Sequence, residues 1–569
     1  MDVEFEPIIE RIEKTVKMSK NEKISRPSRG DENIDWGRRR NVFISPPPRG
    51  LEKEYGEVFT DEAVGFMVDL VVRFESEIEE LYARRLRRKS ELRSSTKMPR
   101  FSKSTRTLDD NWKVAPVGKR LQNRHLDLGD VSPADLGHFN AALRSPVQGI
   151  QVDFDDGHCP TWKNQITGLN NVALAVRDLL PDVPKIAEAP VLMLRPRAWN
   201  MIEKNVTING RRVPGSVHDF ALLIFHNGRR ILDKTGAGSS FYLSKVEGSE
   251  EARLWNDLFA WTEERLGLPH GSTKACVLIE NILSAFEMDD ILWELRERSL
   301  GLNCGIWDYA ASMIGKFGDR EDFVLPDRKK YVNADRRFLR SYMRLVVQVC
   351  HRRGAHATGG MAANLLPSDE TTEDHRRVLE TVAEAKLAEV KIGLDGFMVY
   401  DLGLVEAMNE LWREHGGSRI DASHDVVTEE DLLSLPKGGV TSEGLAHNIR
   451  VGILFVFHWL NGEGHFAHEG FVEDSATAEI SRSQVWQWIR HGARLEDEDG
   501  TVTNDLVKKR AWKIAFRLLQ LYGSSAGSRR TLLVALDVFL ELVNRREPPE
   551  FVTTHLNDDY TFAKIQSNL

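Results

Sequence analysis

"KACVLIENILSAFEMDDILWELRERSLGLNCGIWDY", residues 274–309, reads as one unit of an α/β architecture. An apolar, β-rich run closes on Glu280, an interval long enough for a helix follows, and a second run, LGLNCG, leads to Asp308. Parallel strands joined by crossover helices have this texture. The Gly-Leu-Asn-Cys-Gly segment reads as a turn of flexible backbone at a strand end. With a carboxylate beside it, this is a place where proteins hold an anionic ligand or a metal.

The same alternation extends from about residue 145 to 410. Its runs are GIQVDFDD, APVLMLRPR, DFALLIFHN, KACVLIEN, LGLNCG, LVVQVCHRRGAHATGG and DGFMVYDLG, each followed by a turn or a polar cluster. The number and spacing of the runs suit a TIM (β/α)8 barrel, whose chemistry sits at the carboxyl ends of the strands. The polar residues closing the runs are Asp153, Asp155, Asp156, Arg195, Arg197, Glu280, Asn303 and Asp308.

The flanks differ. Residues 1–110 are highly charged and hold a helical pattern in Val64, Met67, Val71, Phe74, Ile78 and Leu81. The basic run Arg84, Arg85, Arg87, Arg88 and Lys89 reads as a solvated helix end rather than a nucleic-acid patch. The barrel is expected over 111–410. Residues 411–569 read as helical without strand alternation, with Ile480, Val485, Trp486 and Ile489 on an apolar face.

Composition removes several classes of function. With 41% hydrophobic and 29% charged residues in 569, the chain reads as an ordinary globular protein. Its four cysteines form no CxxC pair, which suggests neither a disulfide framework nor a cysteine zinc site. No apolar run approaches the roughly 20 residues that cross a bilayer. With a net charge of −9 and an acidic start, MDVEFEPIIERIEK, the expectation is a protein that is not exported and has no membrane or nucleic-acid partner. His465 and His468 are too few for zinc, KTGAGSS at 234–240 reads as a turn rather than a phosphate loop, and Cys304 as a small packed residue.

Four long blocks carry a family resemblance: LMLRPRAWNMIEKNVTINGRRVPGSVHDFALLIFHN, the 274–309 stretch, RGAHATGGMAA, and VEDSATAEISRSQVWQWI. In order and spacing they resemble malate synthase of the shorter, glyoxylate-cycle class, from about residue 55 almost to the C-terminus. The resemblance implies a TIM barrel with an N-terminal helical clasp and a C-terminal helical plug carrying the catalytic aspartate. It implies condensation of acetyl-CoA with glyoxylate, with Mg2+ as cofactor. Oligomeric state stays open.

Carried over by motif, the base that takes the methyl proton is Asp474 and the cation that stabilises the enolate oxygen is Arg195. Glu280 and Asp308 fill the metal-ligand positions; they lie about one strand–helix–strand unit apart, so adjacent strands can bring both to one rim. Gly305, Ile306, Trp307, Asp308, Met398 and Arg195 fall at substrate-contacting positions, with backbone N–H groups of Gly301 to Gly305 expected near the glyoxylate carboxylate. Taken alone, Asp308 and Asp474 would read as helix caps and Arg195 as an ion-pair partner. Asp155, Asp156, Glu287 and Asp289 are weaker candidates, the first two read as supporting or channel groups or, equally, as surface or cap residues.

The blocks also depart from the family pattern, at Ala198, Asn200, Arg298, Ile306, Ala310, Ala311, Met398, Leu402 and His465, while sparing the four chemical positions. An acyl-CoA/2-oxo-acid condensing enzyme with an altered acceptor and a catalytically silent binding paralogue are the alternatives. The final Ser567-Asn568-Leu569 resembles a peroxisomal address without its central basic residue, leaving peroxisome or cytosol.

Overall fold

Eight parallel strands close into a barrel in a computed structural model that describes residues 41–94, 97–417 and 426–560. In chain order they are β1 (Leu126–Val131), β2 (Gly149–Asp153), β3 (Val191–Arg195), β4 (Ser240–Leu243), β5 (Lys274–Ile279), β6 (Ser299–Cys304), β7 (Ala357–Ala362) and β8 (Gly396–Val399). Each pairs with its sequence neighbour and β8 closes on β1. The TIM barrel expected from the sequence is the fold. Helices cover the outside, so most strand residues are buried on both faces, as in all-parallel sheets generally. Met361 and Met398 fill the interior space left by Gly129.

Several readings change. DFALLIFHN is not a strand but part of the helix Gly215–Thr235. Val217 to Ile224 are all fully buried, so the helix shows no polar stripe there and its run imitates a strand. LVVQVCHRR ends the helix Arg337–Arg353, and β7 begins only at Ala357. Two strands, β1 and β4, replace the misread ones. GLNCG is not a turn either, because Ser299–Cys304 is extended as β6. Gly301 there has φ +98°, and a Cβ would run into the His356 carbonyl, so the glycine permits a close strand approach.

The clasp helices Asp61–Arg73 and Glu75–Ser94 pack on Gly215–Thr235 and Ile306–Phe317 respectively. The basic run is only partly solvated. Arg85 is 8% exposed, with its guanidinium 2.8 Å from Glu251 and 2.7 Å from the Lys245 carbonyl, and Arg88 pairs with Glu287 at 3.1 Å.

Helices Ser442–Leu460, Ser475–His491, Asn504–Tyr522, Ala526–Asn544 and Val552–Asp559 form a second hydrophobic core. An antiparallel hairpin, Phe466–His468 with Phe471–Glu473, interrupts this otherwise helical region. The helix Ser475–His491 belongs to both cores: Ile480 and Trp486 face the barrel core, whereas Val485 and Trp488 enter the second. No helix among the described residues is long and apolar enough to cross a membrane. All four cysteines are free and buried. The C-terminal tripeptide lies outside the described residues.

Candidate active site

The carboxyl ends of the strands gather the charged residues. Parallel register sets Asp153 of β2 against Arg195 of β3. Lys245 follows β4, Glu280 directly follows β5, and Asp308 stands in the first turn of the helix Ile306–Phe317 after β6. Asp474 reaches the same rim from the C-terminal helices.

One oxygen each from Asp156, Glu280 and Asp308 lies within 4.8 Å of the others, and all three residues are buried. Both carboxylate oxygens of Asp308 lack a hydrogen-bond partner among the described residues. Lys245 is the nearest cation: its Nζ is 2.8 Å from Asp155, 2.7 Å from Asp156 and 3.5 Å from Asp308. Its backbone N–H donates to Glu280 at 2.6 Å. Burial pushes the Asp308 carboxyl well above the ordinary range; Lys245 opposes this, while Asp156, Glu280 and Asp474 add to it. Burial likewise raises Glu280 against Lys245 and Arg195. Burial also acts on Asp156, but Arg195 and Lys245 outweigh it and hold that carboxyl below its usual value. An all-oxygen donor set with orphaned buried oxygens fits a hard divalent cation such as Mg2+.

Arg195 is 3% exposed and fixed by carboxylates on several sides. It bonds Asp156, approaches Asp155 and Asp153 at 3.5 Å and Asp130 at 3.6 Å, and donates from Nε to Ser244 at 2.7 Å. Asp474 caps the helix Ser475–His491: its Oδ1 accepts from the Thr477 N–H at 2.9 Å, and the Thr477 hydroxyl accepts from the Asp474 N–H at 2.9 Å. Capping does not consume this carboxylate. The next residue, Ser475, donates to Asp156 and ties the capped helix to the cluster of Asp156, Glu280 and Asp308.

Other expected residues divide. Gly305 backs onto Glu280, since a Cβ there would lie 2.7 Å from the Glu280 Cβ. Its N–H is committed to the Tyr342 hydroxyl at 3.0 Å, and Gly301 to Cys304 belong to a strand, so that stretch does not offer the free turn expected from the sequence. No side chain caps the helix that begins at Ile306. Trp307 lies 5.1 Å beneath the Arg328 guanidinium. Met398 and Asn303 meet inside the barrel, with 3.9 Å between thioether sulfur and amide nitrogen.

Arg197 belongs to a separate buried network with Asp219 and Glu203. Glu287 holds Ser249 and Arg88, and Asp289 pairs with Arg352 and Arg353. His465 bonds Tyr400 and the Gly157 carbonyl, a structural role. Sequence reasoning did not name Lys245 or Asp130, and it kept Asp156 apart from Glu280 and Asp308, beside which the structure sets it. Lys245 and Asp130 have positive φ, +54° and +52°, and neither lies in a motif that announces it.

The family model for the malate synthase TIM-barrel domain matches residues 191–435, and that for the malate synthase C-terminal domain matches 439–560. A malate synthase of Myxococcus xanthus is 41% identical over 78% of this chain and 83% of its own length. One of Streptomyces clavuligerus is 39% identical over 87% and 94%. A glyoxysomal malate synthase of Brassica napus is 34% identical over 91% and 96%.

Proposed function

The chain belongs to the malate synthase family, and from that premise we propose how its own residues divide the work. Its activity is that of an acyltransferase: acetyl-CoA and glyoxylate condense, and thioester hydrolysis gives malate and CoA. The observation that carries the assignment of the site is the buried Asp156–Glu280–Asp308 cluster, with both Asp308 oxygens unpartnered, beside Arg195 and Asp474.

Glu280 and Asp308, with Asp156 as a third carboxylate, would hold Mg2+, which when bound polarises the aldehyde and offsets the charge of glyoxylate. Asp474 takes the methyl proton of acetyl-CoA. A thioester is a weak carbon acid, so the base must be buried, ionised and aimed, and the cap to Thr477 fixes one of its oxygens while leaving the other for the proton. Arg195 presents a guanidinium, already desolvated and oriented, to the developing enolate oxygen. Lys245 offsets part of the carboxylate charge and holds Asp155 and Asp156 in place. The first-turn N–H groups at Ile306 and Trp307 suit the glyoxylate carboxylate, Gly305 gives Glu280 room, and Met398 shapes the barrel floor.

The test is thiol release from acetyl-CoA plus glyoxylate in Mg2+ and in chelator, paired with solvent exchange of the acetyl-CoA methyl protons. Wild type should require Mg2+ for release. Asp474→Asn should bind glyoxylate yet lose nearly all exchange, because an amide cannot accept the proton. Exchange at the wild-type rate in that variant would require another base.

A further inference from the structure

The clasp reaches the site through one side chain. The loop 244–248 joins β4 to the helix Ser249–Leu266, and its inner side touches the groups assigned above. The Ser244 hydroxyl accepts from Arg195 Nε at 2.7 Å. The Lys245 N–H donates to Glu280 at 2.6 Å, and its Nζ lies 2.8 Å from Asp155 and 2.7 Å from Asp156. Lys245 makes these contacts at φ +54°. In that left-handed region its Cβ crowds the following carbonyl, so a lysine stays there only where its surroundings impose it.

The outer side of the loop shows what imposes it. Arg85, in the clasp helix Glu75–Ser94, donates from Nη2 to the Lys245 carbonyl at 2.7 Å. The same guanidinium grips Glu251 twice, Nε to Oε1 and Nη2 to Oε2, each at 2.8 Å. Oε2 of Glu251 also accepts from the Glu247 N–H at 3.0 Å, so one ion pair catches the loop at two peptides. The remaining nitrogen, Nη1, lies 3.2 Å from Glu550, and the next residue, Phe551, places its ring 5.5 Å from Lys245 Nζ. Arg85, Lys245 and Glu251 are all buried. A pair that only fastened the clasp to the barrel would need no more than the two bonds to Glu251. The bond to the carbonyl of a left-handed residue is additional, and it uses a fork of donors that an ammonium does not have.

We propose that Arg85 is a positioning residue: through the Lys245 carbonyl and Glu251 it holds the loop 244–248 in the conformation that aims the Lys245 N–H at Glu280 and Nζ at Asp155 and Asp156. The clasp is then part of the support of the site, and Glu550 brings the C-terminal segment to the same guanidinium. The inference rests on Glu280 being a ligand of the cation. Without Arg85, Lys245 relaxes toward negative φ, its N–H turns from Glu280, and that carboxylate loses the bond that orients it.

Arg85→Met alone strands the Glu251 carboxylate in the interior. The double variant Arg85→Met/Glu251→Gln leaves no charge of that pair buried, keeps an acceptor for the Glu247 N–H and removes the donor to Lys245. Arg85→Lys keeps the charge beside Glu251 without the fork. Arg84→Met, which loses only an ion pair with Glu250, is the comparison from the same helix. Amide hydrogen exchange is followed in chelator and Mg2+ affinity by calorimetry, both where the variants are folded. In the double variant the Lys245 amide should exchange about tenfold faster or more while the barrel strands keep their protection, and Mg2+ should bind about tenfold more weakly. Arg85→Lys should show both changes in smaller measure, and Arg84→Met neither. A merely structural Arg85 would shift the urea midpoint and leave the Mg2+ affinity of the folded protein alone.

The proposal is overturned if the folded double variant keeps wild-type exchange at Lys245, or if it binds Mg2+ within about twofold of wild type. Unchanged Mg2+ affinity in Glu280→Gln would instead overturn the metal reading, and with it the step from the loop to the cation. Exchange at Lys245 is read without metal, so the two failures are distinguishable.

Discussion

Asp308→Asn should make the protein more stable without metal and less responsive to it. The side chain is 4% exposed, both oxygens lack partners among the described residues, and its nearest cation stands 3.5 Å away. Leaving a buried polar group unsatisfied costs about 1–3 kcal/mol, more when it is charged. The isosteric amide removes the charge and its repulsion from Asp156, Glu280 and Asp474, so in chelator the variant should gain about 1–3 kcal/mol. Mg2+ reverses the comparison. At a hundred times its Kd a ligand stabilises the folded state by about 2.7 kcal/mol, and a tenfold weaker site at the same concentration gives about 1.4 kcal/mol. The variant's advantage should therefore shrink by about 1.3 kcal/mol when Mg2+ is added. Urea unfolding followed by tryptophan fluorescence, in chelator and in Mg2+, reads both quantities. A variant that is less stable than wild type in chelator would show that the 3.5 Å ion pair with Lys245 outweighs the repulsion from the neighbouring carboxylates and refute the reasoning. An undiminished Mg2+ increment refutes its role as a ligand.

Gly305→Ala places a methyl 2.7 Å from the Glu280 Cβ and 3.0 Å from its Oε2. Such overpacking costs about 1–3 kcal/mol, and calorimetry should find weaker Mg2+ binding because Glu280 must move; unchanged affinity would show that the loop gives way instead. His447 accepts from Arg328 at 3.3 Å, and burial followed by Arg328 and Lys329 lowers its pKa to about 3. Since the unfolded chain takes that proton near pH 6.5, stability should fall as pH drops from there toward 3, by up to about 1.4 kcal/mol per unit. His447→Gln should lose less than wild type between pH 7 and 5, and equal losses in urea midpoint would exclude His447 as the source.

The barrel was legible where strands are purely apolar between polar closures, as at Val191–Arg195, Lys274–Ile279 and Gly396–Val399. β1 was not, because Asp127, Gly129 and Asp130 break its apolar run, and β4 is only four residues long. The helix at Val217 to Ile224 misled for the opposite reason, since burial all round erases the periodicity that distinguishes helix from strand. Arg195, Glu280, Asp308 and Asp474 came from whole blocks of resemblance, and the structure brings all four to one rim. Lys245 and Asp130 could not be found that way. Each depends on a single left-handed backbone position and on neighbours far away in the chain.

The proposed proton acceptor and the groups it serves emerge from the ribosome at different times. All barrel strands are complete at Val399, whereas the helix behind Asp474 is seated in a core that draws on residues as late as Leu556. At ordinary rates of synthesis the interval is on the order of ten seconds. During it the nascent chain carries the cluster of Asp156, Glu280 and Asp308 but has no seated base. On the proposed division of labour a product truncated in that interval lacks its proton acceptor, and the condensation depends on helices synthesised after the barrel is complete.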